Sequence, residues 1–342
     1  MKTIRIGQRL VGPGQPCYVI AEAGSNHNRD WETALKLIEV AAAAGADAVK
    51  WQTYSAETMY SRKAPRFDHL KEDTWELIKR IEMPREWHAD LARACNDHGV
   101  HFLSTPFDLE AVEQLQAVGA PAFKIASFEI THLPLLKAVA QTGKPVILST
   151  GMASLGDIEL ALETIEKAGG TEVALLHCAI GYPPKFEDLH LRAMDTIRQA
   201  FDVPVGFSDH TLGFVSDIAA VARGADIIEK HYTLSRQMTG PDHPFALEPG
   251  ELREMIAAIR QTEASLGRPI KHHTPSEEVF YHGARRSLVA ACAMPKGTVI
   301  EERMLAVKRP GTGIHPKFIP LVVGRTVKVD VAEDDILTWE MV

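Results

Sequence analysis

The chain has 342 residues, of which 45% are hydrophobic and 24% charged, and its formal net charge is −8. This composition predicts a globular protein and disfavours nucleic acid and anionic membranes as partners, because both require basic clusters that the sequence lacks. The apolar runs are too short to span a bilayer, and the first residues lack the apolar core of a signal peptide. We therefore expect a cytoplasmic protein with free thiols at its four scattered cysteines, Cys17, Cys95, Cys178 and Cys292.

Residues 3–20 predict a small β-hairpin that precedes a longer series of strands and is placed to plug the lower mouth of a barrel. Eight short apolar runs, rich in Val, Ile, Leu and Ala, then follow. Their lack of strict alternation is typical of parallel strands buried on both faces. They occupy residues 18–23, 47–52, 100–105, 122–127, 145–150, 173–178, 203–208 and 226–231.

Helical patterns separate these runs and begin or end at capping residues. The clearest are at 31–46, 108–120, 156–170 and 248–267. Eight strand–helix cycles predict a (β/α)₈ TIM barrel. The alternative is a doubly wound open sheet, which often carries a GxGxxG turn after its first strand. Here that turn reads EAGSNHN, which favours the barrel.

The pattern changes near residue 268, which we take as the end of the barrel domain. Residues 269–284 are polar with two prolines and predict a linker. Residues 285–342 contain short β-like pieces broken by Pro and Gly and predict a small β-rich domain. A domain of this size has a marginal core, so we expect it to pack against a barrel, its own or a partner's.

Each of the eight predicted strands ends in polar residues. One such end is commonly just solvated, but catalytic residues of TIM barrels also lie there. Burying so many polar groups without a ligand would be costly, so eight polar ends around one mouth predict a single cavity. The main ones are Glu22, Lys50, Gln52, Thr105, Lys124, Ser127, Glu129, Ser149, Cys178, Ser208, His210, Glu229, Lys230 and His231.

Two kinds of site are compatible with these strand ends. His210 and His231 follow neighbouring strands, about 4.8 Å apart, and are placed to share a divalent metal such as Mn²⁺. The alternative is that they are hydrogen-bonded core histidines. Lys50 and Lys124, with hydroxyls nearby, predict a cradle for a phosphate. The hydroxyls are those of Ser127, Ser149 and Ser208; the alternative is a set of unrelated salt bridges to Glu22, Glu129 and Glu229.

Ten motifs in order along the chain carry a family resemblance. They read VIAEAGSNHN, ADAVKWQT, FLSTPFD, KIASFEI, ILSTGMAS, LHCAIGYP, GFSDHTLG, EKHYTL, GPDHPFALEP and, in the tail, RRSLVA with KRPGTGIHP. Together they resemble the sialic acid synthase family of nonulosonate synthases. The likeness spans nearly the whole chain, and residues 285–342 resemble the antifreeze-like (SAF) domain of that family.

The resemblance implies a metal-dependent condensation of phosphoenolpyruvate with the open-chain form of an N-acetylated amino sugar. The products are a nonulosonic acid and phosphate, released by C–O cleavage. We expect Mn²⁺, with Mg²⁺ and Co²⁺ as alternatives, acting as a Lewis acid on the aldehyde. The resemblance also implies a domain-swapped homodimer in which the tail domain of one subunit covers the barrel mouth of the other.

The same resemblance implies roles for residues that match the family motifs. The expected metal ligands are His210 and His231, and the expected catalytic residues are Glu22, Glu129, Lys50 and Lys124, with either Glu22 or Glu129 activating water. The expected substrate-binding residues are Gln52, Thr105, Ser127, Ser149, Tyr182, Ser208, Asp242 and Arg309, the last reaching the N-acetyl group across the dimer.

One position departs from the family pattern and bears on the choice of sugar. Ile180 lies between LHC and YP, where a polar residue commonly contacts the sugar. The sequence predicts an N-acetylneuraminate-type synthase, with a legionaminic or pseudaminic acid synthase as the alternative, because a deoxygenated sugar tolerates an apolar wall better.

Two other functions compete with this prediction. A synthase of the deoxy-octulosonate kind would act on a phosphorylated sugar and would need further basic residues at the mouth. A sugar-binding barrel without catalysis would be expected to have disrupted strand ends, whereas the histidines, lysines and glutamates are all in place.

Overall fold

Eight parallel strands form a nearly closed barrel in a computed structural model that describes residues 2–64 and 73–342. Strands that follow one another in the chain lie side by side in the sheet, and the first strand of the series (Tyr18–Gly24) pairs with the last (Ile227–His231). The predicted (β/α)₈ barrel is confirmed, and each strand begins and ends within a few residues of its predicted run. The strands are β3 (Tyr18–Gly24), β4 (Ala48–Thr53), β5 (His101–Pro106), β6 (Phe123–Ile125), β7 (Val146–Ser149), β8 (Val173–Cys178), β9 (Val205–Asp209) and β10 (Ile227–His231), preceded by β1 (Ile4–Ile6) and β2 (Arg9–Val11).

Helices follow the strands and cover the outside of the barrel. The four helices predicted from caps and periodicity correspond to α1, α5, α7 and α10 below. Asp30 caps α1 by accepting a hydrogen bond from the Thr33 amide, and Gly45 ends it with φ 89°, a conformation that glycine adopts without strain. The helices are α1 (Trp31–Ala44), α2 (Ala56–Met59), α3 (Thr74–Ile81), α4 (His88–Asp97), α5 (Leu109–Ala117), α6 (Leu133–Gln141), α7 (Leu155–Lys167), α8 (Ala193–Ala200), α9 (Val215–Ala222) and α10 (Pro249–Leu266).

Strand alternation places the polar residues on the inside of the barrel and near one end. In β10, Ile227 packs in the inner cluster of the barrel and Ile228 in the outer cluster beneath the helices. Glu229 and His231 therefore face inward, whereas Lys230 faces outward. The same alternation runs from Ala48 to Lys50 in β4, and from an apolar to a polar inner residue in most of the other strands.

The N-terminal hairpin plugs the end of the barrel opposite the polar residues, as predicted. Strands β1 and β2 pair antiparallel, with Ile4 opposite Val11. Their buried side chains share one cluster with the inward residues at the starts of the strands. The cluster consists of Ile4, Ile6, Val11, Tyr18, Ile20, Ala48, Leu103, Ala122, Ile147, Ala174, Leu176 and Ile227.

Residues 268–342 form a second unit with its own small core. The segment predicted as a linker, 269–284, contains a helix, α11 (Glu278–Gly283), and belongs to this unit. Strand β11 (Ser287–Ala290) pairs antiparallel with β12 (Leu305–Lys308), and α12 spans Ile319–Val322. The core includes Leu288, Ile300, Ile314, Val327 and Leu337. Of the helices in the described residues, none is long and apolar enough to cross a membrane.

Candidate active site

The polar ends of all eight strands line one cavity of about 160 Å³. All the predicted site residues line it except Glu129 and Arg309. A larger cleft of about 530 Å³ lies near the start of β5, but its lining is mainly apolar, so polar convergence rather than size identifies the site. The lining residues are Glu22, Lys50, Gln52, Thr105, Phe107, Lys124, Ala126, Ser127, Phe128, Ser149, Cys178, Ile180, Tyr182, Ser208, His210, Glu229, His231 and Asp242.

The two remaining predicted residues, Glu129 and Arg309, are not among those that line the cavity. Glu129 ends a one-turn 3₁₀ helix that follows β6, and its side chain is half-buried. Arg309 follows β12 in the second unit and is exposed there. The barrel unit alone therefore contains all of the predicted site except Arg309.

Two buried lysines and two buried glutamates form one network on the cavity wall. Lys50 Nζ lies 2.9 Å from Glu22 Oε2 and 3.7 Å from Glu229 Oε1, and Lys124 Nζ lies 3.5 Å from the same Glu229 oxygen. Lys50 also donates to Thr105 Oγ1 at 3.2 Å. The salt bridges considered as an alternative are thus present for Glu22 and Glu229, but they converge on one cavity rather than being unrelated.

The two lysines differ in how readily they hold a proton. Burial favours the neutral amine of both. For Lys50, Glu22 and Glu229 outweigh burial and the pKa is raised; for Lys124, burial prevails and the pKa is lowered. Burial would raise the pKa of Glu229, but Lys124 and Lys50 together lower it. Glu229 therefore stays a carboxylate between two cationic groups.

Three further carboxyls at the mouth retain protons to unusually high pH. Burial raises the pKa of Glu129 to about 7 and that of Asp242 to about 6, and it also raises the pKa of Glu22 against the opposing effect of Lys50. Gln52 Nε2 donates to Glu22 Oε1 at 2.7 Å. Carboxyls with a pKa near neutrality are suited to accept and return protons during a reaction.

Several polar atoms at the mouth have no hydrogen-bond partner among the described residues. They are Ser149 Oγ, Glu129 Oε2, Glu229 Oε2 and His231 Nδ1. Ser127 Oγ instead accepts a hydrogen bond from the Gly151 amide at 2.9 Å. A Cβ at Gly151 would lie 2.8 Å from that hydroxyl and from Ile180 Cδ1, so a larger residue there would displace both side chains from their places at the mouth. The unpartnered atoms are available to bind a ligand.

The two predicted metal ligands lie side by side at the cavity. The ring centroids of His210 and His231 are 5.3 Å apart. Burial lowers the pKa of His210 to about 4 and also lowers that of His231, so both rings are neutral, the form that binds metals. Cys178 Sγ lies 3.8 Å from His210 Nδ1, and Asp242 Oδ2 lies 3.7 Å from His231 Nδ1. His210 and His231 are both buried, but they line the cavity rather than packing in the apolar core.

These donors fit a divalent cation as a partial ligand set. Two neutral imidazoles, one with an unpartnered nitrogen, suit a borderline metal ion. Within residues 2–64 and 73–342, however, no three His, Cys, Asp or Glu side chains are arranged to hold a metal ion. A metal at this position would take its other ligands from solvent or substrate.

Aromatic and apolar side chains form one side of the mouth. Tyr182 is about half exposed, and its ring centroid lies 4.8 Å from that of His210. The ring centroids of Phe245 and His231 are 5.0 Å apart. Ile180 lines the cavity beside them, so this wall offers an apolar surface to a ligand.

The structure gives a place in the site to two residues that the sequence analysis named as strand ends without assigning them a role. Glu229 also appeared there as a salt-bridge partner; it lies two residues before His231 and therefore faces the same way. Cys178 was noted only as a strand end. Strand alternation was the signal for both, since each lies on the inner face in register with Ser208.

The fold and the site define a (β/α)₈-barrel protein with a buried anionic and cationic reaction centre at the carboxyl ends of its strands. The NeuB family model matches residues 37–271 and the SAF domain model matches residues 285–342. The chain belongs to the NeuB family, which confirms the resemblance to sialic acid synthases and the antifreeze-like tail.

The sequence similarity to related proteins extends over nearly their whole length. The chain is 43% identical to the N,N'-diacetyllegionaminic acid synthase of Campylobacter jejuni over 93% of this chain and 98% of that protein. It is 36% identical to the synthase of the same name from Legionella pneumophila, over 96% and 95%. A crystal structure of N-acetylneuraminic acid synthetase from Leptospira borgpetersenii, in complex with citrate, superposes with a TM-score of 0.75 at 34% identity, covering 81% of this chain and 94% of that chain.

Proposed function

We propose that this protein condenses phosphoenolpyruvate with the open-chain aldehyde of an N-acetylated amino sugar to give a nonulosonic acid and phosphate. The observation that carries the proposal is the convergence of Lys50, Lys124 and three serine hydroxyls with high-pKa carboxyls and paired imidazoles in one cavity. Cations and hydroxyls are suited to a phosphate and a carboxylate, and the carboxyls are suited to move protons.

The proposed reaction forms one carbon–carbon bond and breaks one carbon–oxygen bond. C3 of phosphoenolpyruvate attacks the aldehyde carbon, whose oxygen becomes a hydroxyl by gaining a proton. Water adds to C2, and the resulting tetrahedral carbon loses phosphate by cleavage of its C2–O bond to leave a ketone. Lys50, Lys124 and the hydroxyls of Ser127, Ser149 and Ser208 would hold the phosphate and carboxylate in place throughout.

We assign proton acceptance from the attacking water to Glu22. Glu22 lines the cavity, and burial raises its pKa towards the range in which a carboxyl exchanges protons at neutral pH. Gln52 and Lys50 hold its two oxygens from one side. Glu129 has the same kind of raised pKa but lies outside the lining, so we assign it to the sugar.

We propose that His210 and His231 hold a divalent cation, Mn²⁺ in preference to Mg²⁺ or Co²⁺. Such an ion would act as a Lewis acid towards the aldehyde oxygen. The proposal is supported by the neutral state of both rings and the free Nδ1 of His231.

The apolar wall at Ile180 favours a deoxygenated, diacetylated sugar over N-acetylmannosamine. A half-buried side chain without a hydrogen-bonding group gives nothing to a sugar hydroxyl, which would lose its water there. Two relatives named as N,N'-diacetyllegionaminic acid synthases support the same choice. We therefore propose a legionaminic-type acceptor rather than the N-acetylneuraminate-type acceptor that the sequence first suggested.

A phosphorylated sugar, as used by a synthase of the deoxy-octulosonate kind, is disfavoured. Among the described lining residues, the two cationic side chains are Lys50 and Lys124, and both are paired with glutamates. A second phosphate would need further cations at the mouth.

We propose that the active enzyme is a domain-swapped homodimer in the cytoplasm. Large apolar side chains are exposed on the loops around the mouth, as expected for a covered surface. They include Phe128, Met152, Phe186, Leu212 and Val215, which are between 52% and 74% exposed. Arg309, exposed in the second unit, would reach the partner's mouth. The free cysteines are compatible with a reducing compartment.

Phosphate release from phosphoenolpyruvate, measured against a panel of acceptors, tests the proposed reaction. The panel contains N-acetylmannosamine, a 2,4-diacetamido-trideoxyhexose and arabinose 5-phosphate. We expect release with the diacetylated sugar, loss of release with EDTA and restoration by Mn²⁺. Release with arabinose 5-phosphate alone would replace the proposal with an octulosonate-type function, and release with none would contradict it.

Subunit mixing tests the swapped dimer. Arg309→Ala and Glu22→Gln chains are each expected to be nearly inactive alone. Refolded together in equal amounts, they should recover about a quarter of wild-type activity, because half of the dimers carry one intact site built from both chains. No recovery despite heterodimer formation would show that Arg309 acts within its own chain or not at all.

A further inference from the structure

A buried lysine lies directly behind the two imidazoles, on the outer face of β10. Lys230 immediately precedes His231, and its side chain is fully buried between the sheet and α9. Its Nζ donates to Asp209 Oδ2 at 2.5 Å and to the Thr211 carbonyl oxygen at 2.6 Å. Asp209 and Thr211 are the residues on either side of His210, so the ammonium group of Lys230 is hydrogen-bonded to both neighbours of that histidine.

A second set of hydrogen bonds, between Asp209 and Thr211, holds the segment around His210. Asp209 Oδ1 accepts from the Thr211 amide at 3.0 Å, and Asp209 Oδ2 accepts from Thr211 Oγ1 at 2.8 Å. All of these atoms are buried. The backbone that presents His210 is therefore tied to the side chain of the residue next to His231.

We infer that Lys230 is a positioning residue that sets the separation and angle of the His210 and His231 rings. The inference rests on the proposed function in one respect, namely that the two rings must be placed together to do their work. Lys230 itself touches neither ring; it acts by joining the two strand ends that carry them.

A purely structural explanation of this ion pair is weaker. A buried pair is expensive to desolvate, and apolar residues of the same volume commonly serve stability as well or better. What an apolar pair cannot supply is a directional link to both Asp209 and the Thr211 carbonyl. Groups that orient metal-binding histidines from behind affect metal affinity by about 10- to 100-fold when they are replaced.

Asp217 offers a matched control within the same cluster. It lies on α9 with Oδ2 3.8 Å from Lys230 Nζ, beyond hydrogen-bond distance. Burial and the neighbouring Asp209 raise its pKa well above the ordinary value for a carboxyl. An amide at this position keeps the shape of the side chain and leaves in place both hydrogen bonds that Lys230 donates, to Asp209 and to the Thr211 carbonyl oxygen.

The experiment compares Lys230→Met, the double variant Lys230→Met/Asp209→Asn, Asp217→Asn and Asp47→Asn. The double variant removes both members of the close ion pair together, so it is expected to fold even if Lys230→Met does not. Asp47→Asn removes a largely buried carboxylate that pairs with Arg9 and Arg260, at the start of β4, and controls for general destabilisation. Two quantities are measured: Mn²⁺ affinity by electron paramagnetic resonance, and the imidazole ¹⁵N resonances of metal-free protein labelled on histidine.

We expect the double variant to bind Mn²⁺ about 10- to 100-fold more weakly and to shift the His210 and His231 resonances while that of His101 stays in place. Asp217→Asn and Asp47→Asn should keep wild-type affinity within about threefold, on the same scale of effects. Unchanged affinity and unmoved resonances in the double variant would overturn the inference. If wild-type protein binds no Mn²⁺, the proposed metal fails, and the two ring resonances alone decide whether Lys230 positions the histidines.

Discussion

The two ends of the barrel bury polar groups in different ways. The floor is the end closed by the N-terminal hairpin, and the mouth is the end where the polar strand ends line the cavity. At the floor, Tyr18 Oη and His101 Nδ1 are 2.6 Å apart, and Asp47 is held by Arg9 and by the Val19 amide. At the mouth, Ser149 Oγ and His231 Nδ1 have no partner within the described chain. Partnered polar groups contribute to stability, whereas unpartnered ones cost stability and are retained where a ligand binds them.

The largest expected effect is on turnover, from a substitution at the mouth. Glu22→Gln removes the proposed proton acceptor but keeps its shape, so kcat should fall by about 10²- to 10⁴-fold. The matched floor variant, Asp47→Asn, should lower the melting temperature and leave kcat within about twofold, since it lies outside the reaction centre. Phosphate release by both purified proteins checks this. Near-wild-type turnover in Glu22→Gln would remove Glu22 from the chemistry.

The next effect is on stability and comes from the floor. Ile6 is fully buried in the plug, so Ile6→Ala should reduce the free energy of unfolding by about 2–5 kcal/mol. Ser149→Ala, at the mouth, removes a buried unpartnered hydroxyl and should leave the free energy of unfolding unchanged or raise it by up to about 1–3 kcal/mol. It should instead raise KM for phosphoenolpyruvate by about tenfold or more, the loss of one hydrogen bond to a charged group.

Urea unfolding and initial-rate kinetics on these two variants sharpen the comparison. A Ser149→Ala protein that loses stability but binds phosphoenolpyruvate normally would place Ser149 with the floor residues.

A smaller effect concerns the choice of sugar. Ile180→Asn supplies a hydrogen-bonding group to the apolar wall, so the ratio of kcat/KM for N-acetylmannosamine to that for the diacetylated deoxy sugar should rise by about 10- to 100-fold. Ile180→Val is the control, because it keeps the wall apolar. An unchanged ratio in Ile180→Asn would exclude this residue as a determinant of specificity.

The smallest effect is a pH dependence of stability. The pKa of Glu129 is raised from an ordinary 4.5 to about 7 by burial, so the folded protein binds more protons than the unfolded chain between these values. Stability contributed by neutral Glu129 is present below pH 4.5 and is lost as the pH rises to about 7. Glu129→Gln should therefore gain stability relative to wild type as the pH rises from 5 to 8. The measurement is urea unfolding of both proteins at pH 5 and pH 8. A difference in unfolding free energy between variant and wild type that is the same at both pH values would contradict the prediction.

Much of the fold followed from local pattern. The eight buried runs defined the strands because parallel strands covered on both faces need continuous apolar residues, and the glycine at Gly45 marked the end of a helix. The helix Glu278–Gly283 was not predicted, because its residues lack an apolar period and four of them are His, Tyr, Gly or Glu. Such a short helix is specified by tertiary context rather than by propensity.

The candidate site likewise has a part that local sequence pattern predicted and a part that it did not. Strand ends identified Lys50, Lys124, His210 and His231 because a barrel gathers them at one mouth. Side-chain alternation along β10 puts Glu229 on the inner face with His231 and Lys230 on the outer face, but the sequence analysis counted all three as strand ends and did not use that alternation. Arg309 rests on the family resemblance, because local pattern does not report on contacts between chains.

The most direct test follows the bridging oxygen of phosphoenolpyruvate. The protein is incubated with Mn²⁺, a 2,4-diacetamido-trideoxyhexose and phosphoenolpyruvate labelled with ¹⁸O at the C2–O–P position, and both products are analysed by mass spectrometry. We predict a nine-carbon 2-keto acid without label and one labelled phosphate for each molecule formed. Label retained in the keto acid, or phosphate released without a nine-carbon product, would contradict the proposed chemistry at the mouth of this barrel.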